Sequence, residues 1–182
     1  MSSMYPELFE PISTEIFPQG ERVFLIPRTF VRFNKWEGTP INETFGNKSL
    51  LDVEGQAGFA EIAVMKSFIK AGWDARWVET YARGSKEPLY LKEWKDVAYK
   101  EQTECHFPDE LLRNLIKDIA IVNGSYGGCW DVAAHKDGNI LFVESKWFGK
   151  DSINSNQRKW LASAMSIGLK EENFLVVEWD YK

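Results

Sequence analysis

The sequence predicts an α/β fold in which helices flank a mixed β-sheet. Three observations predict it: helical spacing of apolar residues over 56–71 and 108–122, buried-strand runs over 73–81 and 173–179, and a β-hairpin over 129–146. Helices therefore alternate with strands, while two neighbouring strands pair directly. This order favours a sheet with both parallel and antiparallel strands, covered by helices.

Each predicted helix has a recognisable end. Helices are expected over about 56–71, over 108–122, and from Ser152 or Asn154 to Ile167. A glycine follows each of them, and glycine readily adopts the left-handed conformation that commonly ends a helix. These glycines are Gly72, Gly124 and Gly168.

The N-terminal third is less regular. Residues 22–33 suggest one or two strands interrupted at Pro27, and residues 1–20 suggest an arm that packs on the core. We expect residues 1–50 to form an N-terminal extension packed on a domain that spans 51–182. Residues 82–107 show partial periodicity without a clear type.

Composition restricts the class of protein. The 182 residues are 44% hydrophobic and 27% charged, which is typical of a globular chain. No apolar run approaches the ~20 residues that cross a bilayer, and the N-terminus lacks a signal-peptide pattern, so we expect a cytoplasmic protein without membrane contact. A net charge of −5 argues against bulk coating of nucleic acid. It does not exclude a nuclease, because a bound metal offsets acidic residues.

The hairpin carries the most informative residues. If Asp137-Gly138 forms a tight two-residue turn, the register places Asp131 opposite Glu144. Side chains alternate along a strand, so Asp131, Glu144 and Lys146 then emerge from one face. A three-residue loop would instead pair Asp131 with Ser145.

Two facing carboxylates have a specific chemical use. Their β-carbons would lie roughly 5 Å apart, and like charges at this distance repel. A divalent cation such as Mg²⁺ or Mn²⁺ between the oxygens removes the repulsion. With Lys146 beside it, the pair would form a site for phosphodiester hydrolysis by a metal-bound water. The alternative is a polar strand end whose two acids face solvent.

This arrangement resembles the PD-(D/E)XK nuclease superfamily, in which an Asp and a Glu-x-Lys lie on adjacent strands. Here they are Asp131 and Glu144-Ser-Lys146. The following Gln157-x-x-Trp160, Gly168 and an apolar strand are similar to the virus-type replication-repair nuclease (VRR-Nuc) branch. The resemblance covers about residues 55–180.

The resemblance implies a restriction-endonuclease-like αβββαβ core and a Mg²⁺- or Mn²⁺-dependent deoxyribonuclease that acts on DNA. Asp131 and Glu144 would bind metal, assisted by the Ser145 main-chain carbonyl. Lys146 would position or activate the attacking water, and Gln157 would reach into the site. Glu61, on the first helix, would complete a second metal site or hydrogen-bond a metal-bound water.

The chain departs from the family pattern in one place, because Trp130 stands before Asp131 where the superfamily often has proline. An insertion of about 25 residues between the first strand and the helix at Pro108 is less easily aligned with the family. Residues 1–50 have no counterpart in the family. The resemblance leaves the oligomeric state open, although a homodimer is possible because many such nucleases work in pairs. It also leaves open whether the substrate is DNA or RNA, whether it is single- or double-stranded or branched, and whether cleavage is endo- or exonucleolytic.

Other interpretations stand beside this one. A non-catalytic nucleic-acid- or protein-binding module on the same fold would suit the acidic pI of about 5.2. Glu61 and Gln157 could serve purely structural roles, and Trp160 is better explained as core packing than as a base-stacking platform. A cysteine hydrolase using Cys129 and His135 is disfavoured, because six residues of strand separate them by roughly 20 Å.

Overall fold

Seven strands form one mixed sheet in the computed structural model, which describes residues 4–182. Along the chain, the strands are β1 (Ser13–Gln19), β2 (Arg22–Phe33), β3 (Leu51–Val53), β4 (Gln56–Gly58), β5 (Asp74–Glu79), β6 (Leu89–Leu91), β7 (Val132–Lys136), β8 (Asn139–Trp147) and β9 (Phe174–Tyr181). The α-helices are α1 (Ala60–Lys70), α2 (Leu111–Asn123) and α3 (Ser155–Ser166).

The sheet has the order β1-β2-β9-β8-β7-β5-β6, and β3 and β4 form a separate ribbon. Strand β9 runs parallel to both of its neighbours, β2 and β8, whereas the other pairs are antiparallel. The predicted α/β fold with a mixed, helix-flanked sheet is therefore confirmed. No helix among residues 4–182 combines the length and apolar composition needed to cross a bilayer.

The helices divide between the two faces because strand residues alternate. On one face, Val132 and Val143 belong to a buried apolar cluster with α1. On the other, Ala133 and Phe142 belong to a second cluster with α2 and α3. Burial of apolar surface on both faces fixes the strand register, since a one-residue slip would exchange the faces.

The hairpin register agrees with the two-residue turn. Lys136 faces Asn139 and Val132 faces Val143. Asp137 and Gly138 both have positive φ, 50° and 80°, as a type I′ turn requires. The alternative three-residue loop is excluded.

The first helix begins later than the sequence pattern predicts. Residues Gln56–Gly58 form β4, and α1 starts at Ala60. Glu54 and Gly55 adopt positive φ values of 55° and 82°, which turn the chain between β3 and β4. The prediction of helix from residue 56 was wrong because it missed this turn. Likewise α2 begins at Leu111 rather than at Pro108.

The N-terminal residues join the sheet. Phe9 and Phe17 are fully buried, and β1 and β2 form a hairpin that extends the sheet beyond β9. The predicted interruption at Pro27 is absent, because β2 is one continuous strand. Pairing with β9 starts at Arg28, so the missing N–H of Pro27 leaves that ladder complete.

Candidate functional site

Two carboxylates lie close together at the open end of the β7–β8 hairpin, away from its turn. Asp131 immediately precedes β7, and its main-chain N–H donates to Glu144 Oε2 at 3.2 Å. The Ser145 N–H and hydroxyl both donate to Asp131 Oδ2, at 3.0 and 2.7 Å. Asp131 and Glu144 thus lie close together at the end of the hairpin. The Asp131 carboxylate, however, bonds to Ser145, whose side chain alternates with those of Glu144 and Lys146 along β8, so the predicted common face is shown for Glu144 and Lys146 but not for Asp131.

Lys146 lies on the same side of β8 as Glu144. Its ammonium is 2.9 Å from Glu144 Oε1 and 3.4 Å from Asp151 Oδ2. Glu144 is only 1% exposed and Lys146 6%, so this is an ion pair inside the protein. Water screens such a pair far less than a surface pair.

Gln157 enters the site from the first turn of α3. Its side-chain Nε2 donates to Glu144 Oε1, and its side-chain Oε1 accepts from the Asn154 N–H at 3.0 Å. The Asn154 side chain in turn accepts from the Gln157 N–H at 3.0 Å, which completes a capping box. The helix cap therefore also orients Glu144.

Gly128 allows α3 to come this close. A β-carbon at residue 128 would lie 2.2 Å from the Asn156 carbonyl oxygen, and φ is 86°. Only glycine combines that clearance with that backbone conformation. The neighbouring Trp130 is fully buried and donates to the Gln157 carbonyl at 3.3 Å, so it packs under the helix rather than facing a ligand. Trp160 is fully buried as well.

Replacing Gln157 tests this coupling of cap and site. We expect Gln157→Ala to lower the free energy of unfolding by about 1 kcal/mol, because it removes a capping interaction and a donor to Glu144. Urea denaturation of the metal-free protein measures the change. The exposed Lys159→Ala on the same helix should stay within about 0.5 kcal/mol of wild type. Equal stabilities for the two variants would contradict the coupling.

Glu61 lies across the site in the first turn of α1, and it is 8% exposed. Its Oε1 contacts the ammonium of Lys48, which belongs to the loop between β2 and β3. The Lys48 ammonium also lies 5.5 Å from the Phe45 ring and 5.6 Å from the Trp77 ring. Sequence reasoning missed Lys48, since no motif or periodicity marks it.

Glu79, at the end of β5, is a further acid that sequence reasoning missed. The adjacent Val78 N–H donates to the Asp131 carbonyl at 2.8 Å, so β5 ends beside Asp131. Burial raises the pKa of Glu79 to about 7, and the charges of Asp131 and Glu61 act in the same direction. Its position at the end of a strand next to the hairpin is the signal that could have found it.

Burial and mutual repulsion also raise the pKa values of the central acids. Loss of solvation, followed by the charge of Asp131, raises the pKa of Glu144 to about 8. Burial and the charge of Glu61 raise the pKa of Asp131. For Lys146, burial lowers the pKa, but the charges of Glu144 and Asp131 outweigh it and the net shift is upward. The site therefore has an excess of negative charge that favours a cation.

The donor set fits a hard divalent cation. Both Ser145 hydrogen bonds go to Asp131 Oδ2, and no hydrogen bond from residues 4–182 goes to Oδ1. Mg²⁺ is commonly held by one or two carboxylates and keeps several waters. No group of three or more His, Cys, Asp or Glu side chains in the described part of the chain is arranged as metal ligands. The third acid nearby, Glu61, is paired with Lys48. A ligand role for the Ser145 carbonyl stays a prediction.

A cavity of about 290 Å³ is lined by Lys48, Glu61, Ser145, Trp147 and Lys150 among others, whereas Asp131 and Glu144 do not line it. Trp147 stacks on Trp179 with ring centroids 4.8 Å apart, and the Lys150 ammonium lies 3.5 Å from the Trp147 ring centroid. Ser145, which bonds to Asp131, and Glu61 connect this cavity to the central acids, and Lys48 and Lys150 place positive charge in it, as a site for an anionic substrate requires.

The raised pKa of Glu144 predicts how stability changes with pH. Its pKa is about 8 in the folded state against 4.5 for the ordinary group, so the folded protein binds more protons between these values. The free energy of unfolding should therefore be greatest at low pH in this window and fall as pH rises from about 5 to 8. Glu79 and Asp131, whose pKa values are also raised, act with the same sign.

Urea denaturation in EDTA at several pH values measures this slope. Glu144→Gln should flatten it, whereas Glu21→Gln, at an exposed turn position, should not. A stability that rises with pH across the window would show that the buried acids do not carry excess charge.

The chain was compared with known proteins. No protein-family model matches it, and neither a curated protein nor a solved structure shows significant similarity to it.

Proposed function

We propose that this protein is a Mg²⁺- or Mn²⁺-dependent nuclease that hydrolyses DNA phosphodiester bonds. The observation that carries the proposal is the pair formed by half-buried Asp131 and buried Glu144, with the Lys146 ammonium 2.9 Å from Glu144. Like charges are placed together inside a protein at a cost in stability, so such a pair is expected where a bound cation offsets the repulsion.

The element order supports a PD-(D/E)XK core for this site. The sequence α1, β5, β7, β8, α3, β9 agrees with the αβββαβ order of that superfamily. Strand β6 and helix α2 are inserted between β5 and β7. The proposed metal-binding residues then fall at the start of β7 and on β8, where the superfamily has its Asp and its Glu-x-Lys.

Each residue has a role that follows from its contacts. Asp131 and Glu144 would hold the metal ion, which when bound supplies an activated water and neutralises charge on the reacting phosphate. Ser145 fixes the orientation of Asp131 through two hydrogen bonds. Gln157 fixes the orientation of Glu144 by donating to the same oxygen, Oε1, that Lys146 contacts.

Lys146 acts in this proposal as a cation. Its pKa is raised by Glu144 and Asp131 against the effect of burial, so it keeps its proton at neutral pH and is a poor base. An ammonium at this place stabilises the negative charge that develops on the phosphate oxygens in the transition state. The resemblance implies that Lys146 either positions or activates the attacking water. A charged Lys146 favours positioning of the water, together with charge stabilisation, over its activation by proton abstraction.

Cleavage assays test the proposal. Supercoiled plasmid and single-stranded DNA are incubated with Mg²⁺, with Mn²⁺ or with EDTA. We expect cleavage by the wild type that requires the metal and is lost in Asp131→Ala and Lys146→Ala. Equal activity in all three proteins, or cleavage in EDTA, would contradict the proposal.

One observation favours a non-catalytic nucleic-acid- or protein-binding module instead. Lys146 and Lys48 each pair with an acid, Glu144 and Glu61, and so offset part of the negative charge without a metal. Titration with Mn²⁺ separates the two functions. A nuclease site should raise the free energy of unfolding by about 2.7 kcal/mol when the ion is at a hundred times its dissociation constant. A binding module needs no such stabilisation.

A further inference from the structure

Lys48 contacts the acid that the family resemblance assigns to a second metal site. Its ammonium is bonded to Glu61 Oε1, and Asp131 and Glu79 are close enough for their charges to raise its pKa. These three acids come from α1, from the start of β7 and from the end of β5. Lys48 therefore lies where three elements converge on the site.

Hydrogen bonds hold the loop that carries Lys48 in place. Trp94 Nε1 donates to the Glu43 carbonyl at 2.7 Å, and the Asp96 carboxylate accepts from the Asn42 and Glu43 N–H groups at 2.8 and 2.7 Å. The Lys48 N–H donates to the Thr44 carbonyl at 3.0 Å. These bonds attach the loop to the segment after β6, so the position of Lys48 is set by the fold.

Phe45 adds packing to these hydrogen bonds. It stacks on Tyr99 at 5.2 Å and packs against Trp94 at the same centroid distance. Phe45 and Asn47 both have positive φ, 47° and 61°, a conformation that is unfavourable for a bulky side chain such as Phe. A strained segment held by this many contacts is typical of a functional position.

The charges of the site correspond to a single divalent ion. Four buried or half-buried carboxylates converge there, and two ammonium groups are paired with them, whereas the Asp151 carboxylate, 3.4 Å from Lys146, is exposed to solvent and is left out of this count. The carboxylates are Asp131, Glu144, Glu61 and Glu79, and the ammonium groups are Lys48 and Lys146. When all are ionised, the net charge is −2, which one divalent cation cancels.

We propose that Lys48 stands in place of a second metal ion, so that the site binds one divalent cation through Asp131 and Glu144. This inference rests on the proposed function and goes beyond it by assigning a positioning role to Lys48. Its ammonium is paired with the Glu61 carboxylate and supplies a fixed positive charge in the cavity that Lys150 also lines. A second ion would have to displace it.

Calorimetric titration with Mn²⁺ alone, without DNA, tests the stoichiometry. We expect one bound ion for the wild type and two for Lys48→Met, because the substitution frees the Glu61 carboxylate. Lys48→Arg keeps the charge and should bind one. The matched control Lys117→Met, at an exposed position of α2, should also bind one.

Further variants keep the test interpretable if Lys48→Met does not fold. The double variant Lys48→Met/Glu61→Gln should return to one ion, because the freed carboxylate is gone. Glu61→Gln alone should still bind one ion, with affinity within about tenfold of wild type, whereas Asp131→Ala should lose binding.

The outcomes are distinguishable. Three results would overturn the role of Lys48 without affecting the proposed nuclease function. They are two bound ions in the wild type, one bound ion in a folded Lys48→Met variant, and a loss of binding in Glu61→Gln. No Mn²⁺ binding by the wild type would overturn the proposed nuclease function and this inference with it.

Discussion

Asp131→Ala should abolish metal-dependent DNA cleavage and leave the metal-free protein folded and at least as stable as the wild type. Activity falls because one of two carboxylates for the cation is lost, and a bound metal contributes several kcal/mol of transition-state stabilisation. A loss of about 4 kcal/mol corresponds to a rate decrease of roughly a thousandfold. Stability is retained because removal of the charge that repels Glu144 offsets the loss of the two hydrogen bonds from Ser145 to Asp131.

Two measurements on the same preparation check both parts. Initial rates of plasmid cleavage in Mg²⁺ give the catalytic effect, and urea denaturation in EDTA gives the free energy of unfolding. Asp118→Ala, at an exposed position of α2, is the control and should cleave as the wild type does. A rate for Asp131→Ala within a few-fold of wild type would remove Asp131 from the site. A strongly destabilised variant would show that the acid is structural.

Lys146→Met should lower the cleavage rate about a hundredfold or more without lowering the affinity for Mn²⁺. The ammonium stabilises developing negative charge, and loss of one such preorganised group typically decreases the rate by about 10²–10³. Metal affinity should be unchanged or higher, because the cation no longer competes for Glu144. This result would distinguish Lys146 from the proposed metal ligands, because substitution of a ligand should lower both the cleavage rate and the Mn²⁺ affinity.

Lys146→Met should also destabilise the metal-free protein. Breaking a buried ion pair leaves Glu144 without its partner, and such changes reduce the free energy of unfolding by about 3 kcal/mol. The loss should shrink at pH 5, where Glu144 is protonated, and on addition of Mn²⁺. Rates, Mn²⁺ titration and denaturation at pH 5 and 8 test this pattern. A parallel loss of Mn²⁺ affinity and rate would make Lys146 a structural support of the metal site.

The hairpin was the most predictable part of the structure. Asp137-Gly138 specifies a tight turn with local chemistry alone, and the register of the whole ladder follows from it. The positions of Asp131 and Glu144 could therefore be derived from the sequence. The order of the later helices and strands was predictable for the same reason, since their apolar periodicity and terminal glycines are local signals.

The start of α1 was not predictable in this way. Glu54-Gly55 is a weaker turn signal than Asp137-Gly138, and the short strands on either side resemble the beginning of a helix in their apolar content. The helical spacing was consequently extended over β4. The place of β1 and β2 in the sheet depends on pairing with β9, at the other end of the chain, and local patterns carry no information on such pairing.

The same limit explains why Lys48 and Glu79 were missed. Lys48 reaches Glu61 only because the loop after β2 is attached to residues 94–99, far along the chain. Glu79 approaches Asp131 because β5 pairs with β7. Contacts made between distant segments are visible only when the sheet is assembled.

In the proposed site, Asp131 and Glu144 share one divalent cation. Anomalous diffraction from a crystal of the wild-type protein soaked in Mn²⁺ would locate this ion. We predict one anomalous peak within about 2–2.5 Å of a carboxylate oxygen from each residue. The absence of a peak at this pair under saturating Mn²⁺, or a peak bound by other residues, would contradict this arrangement.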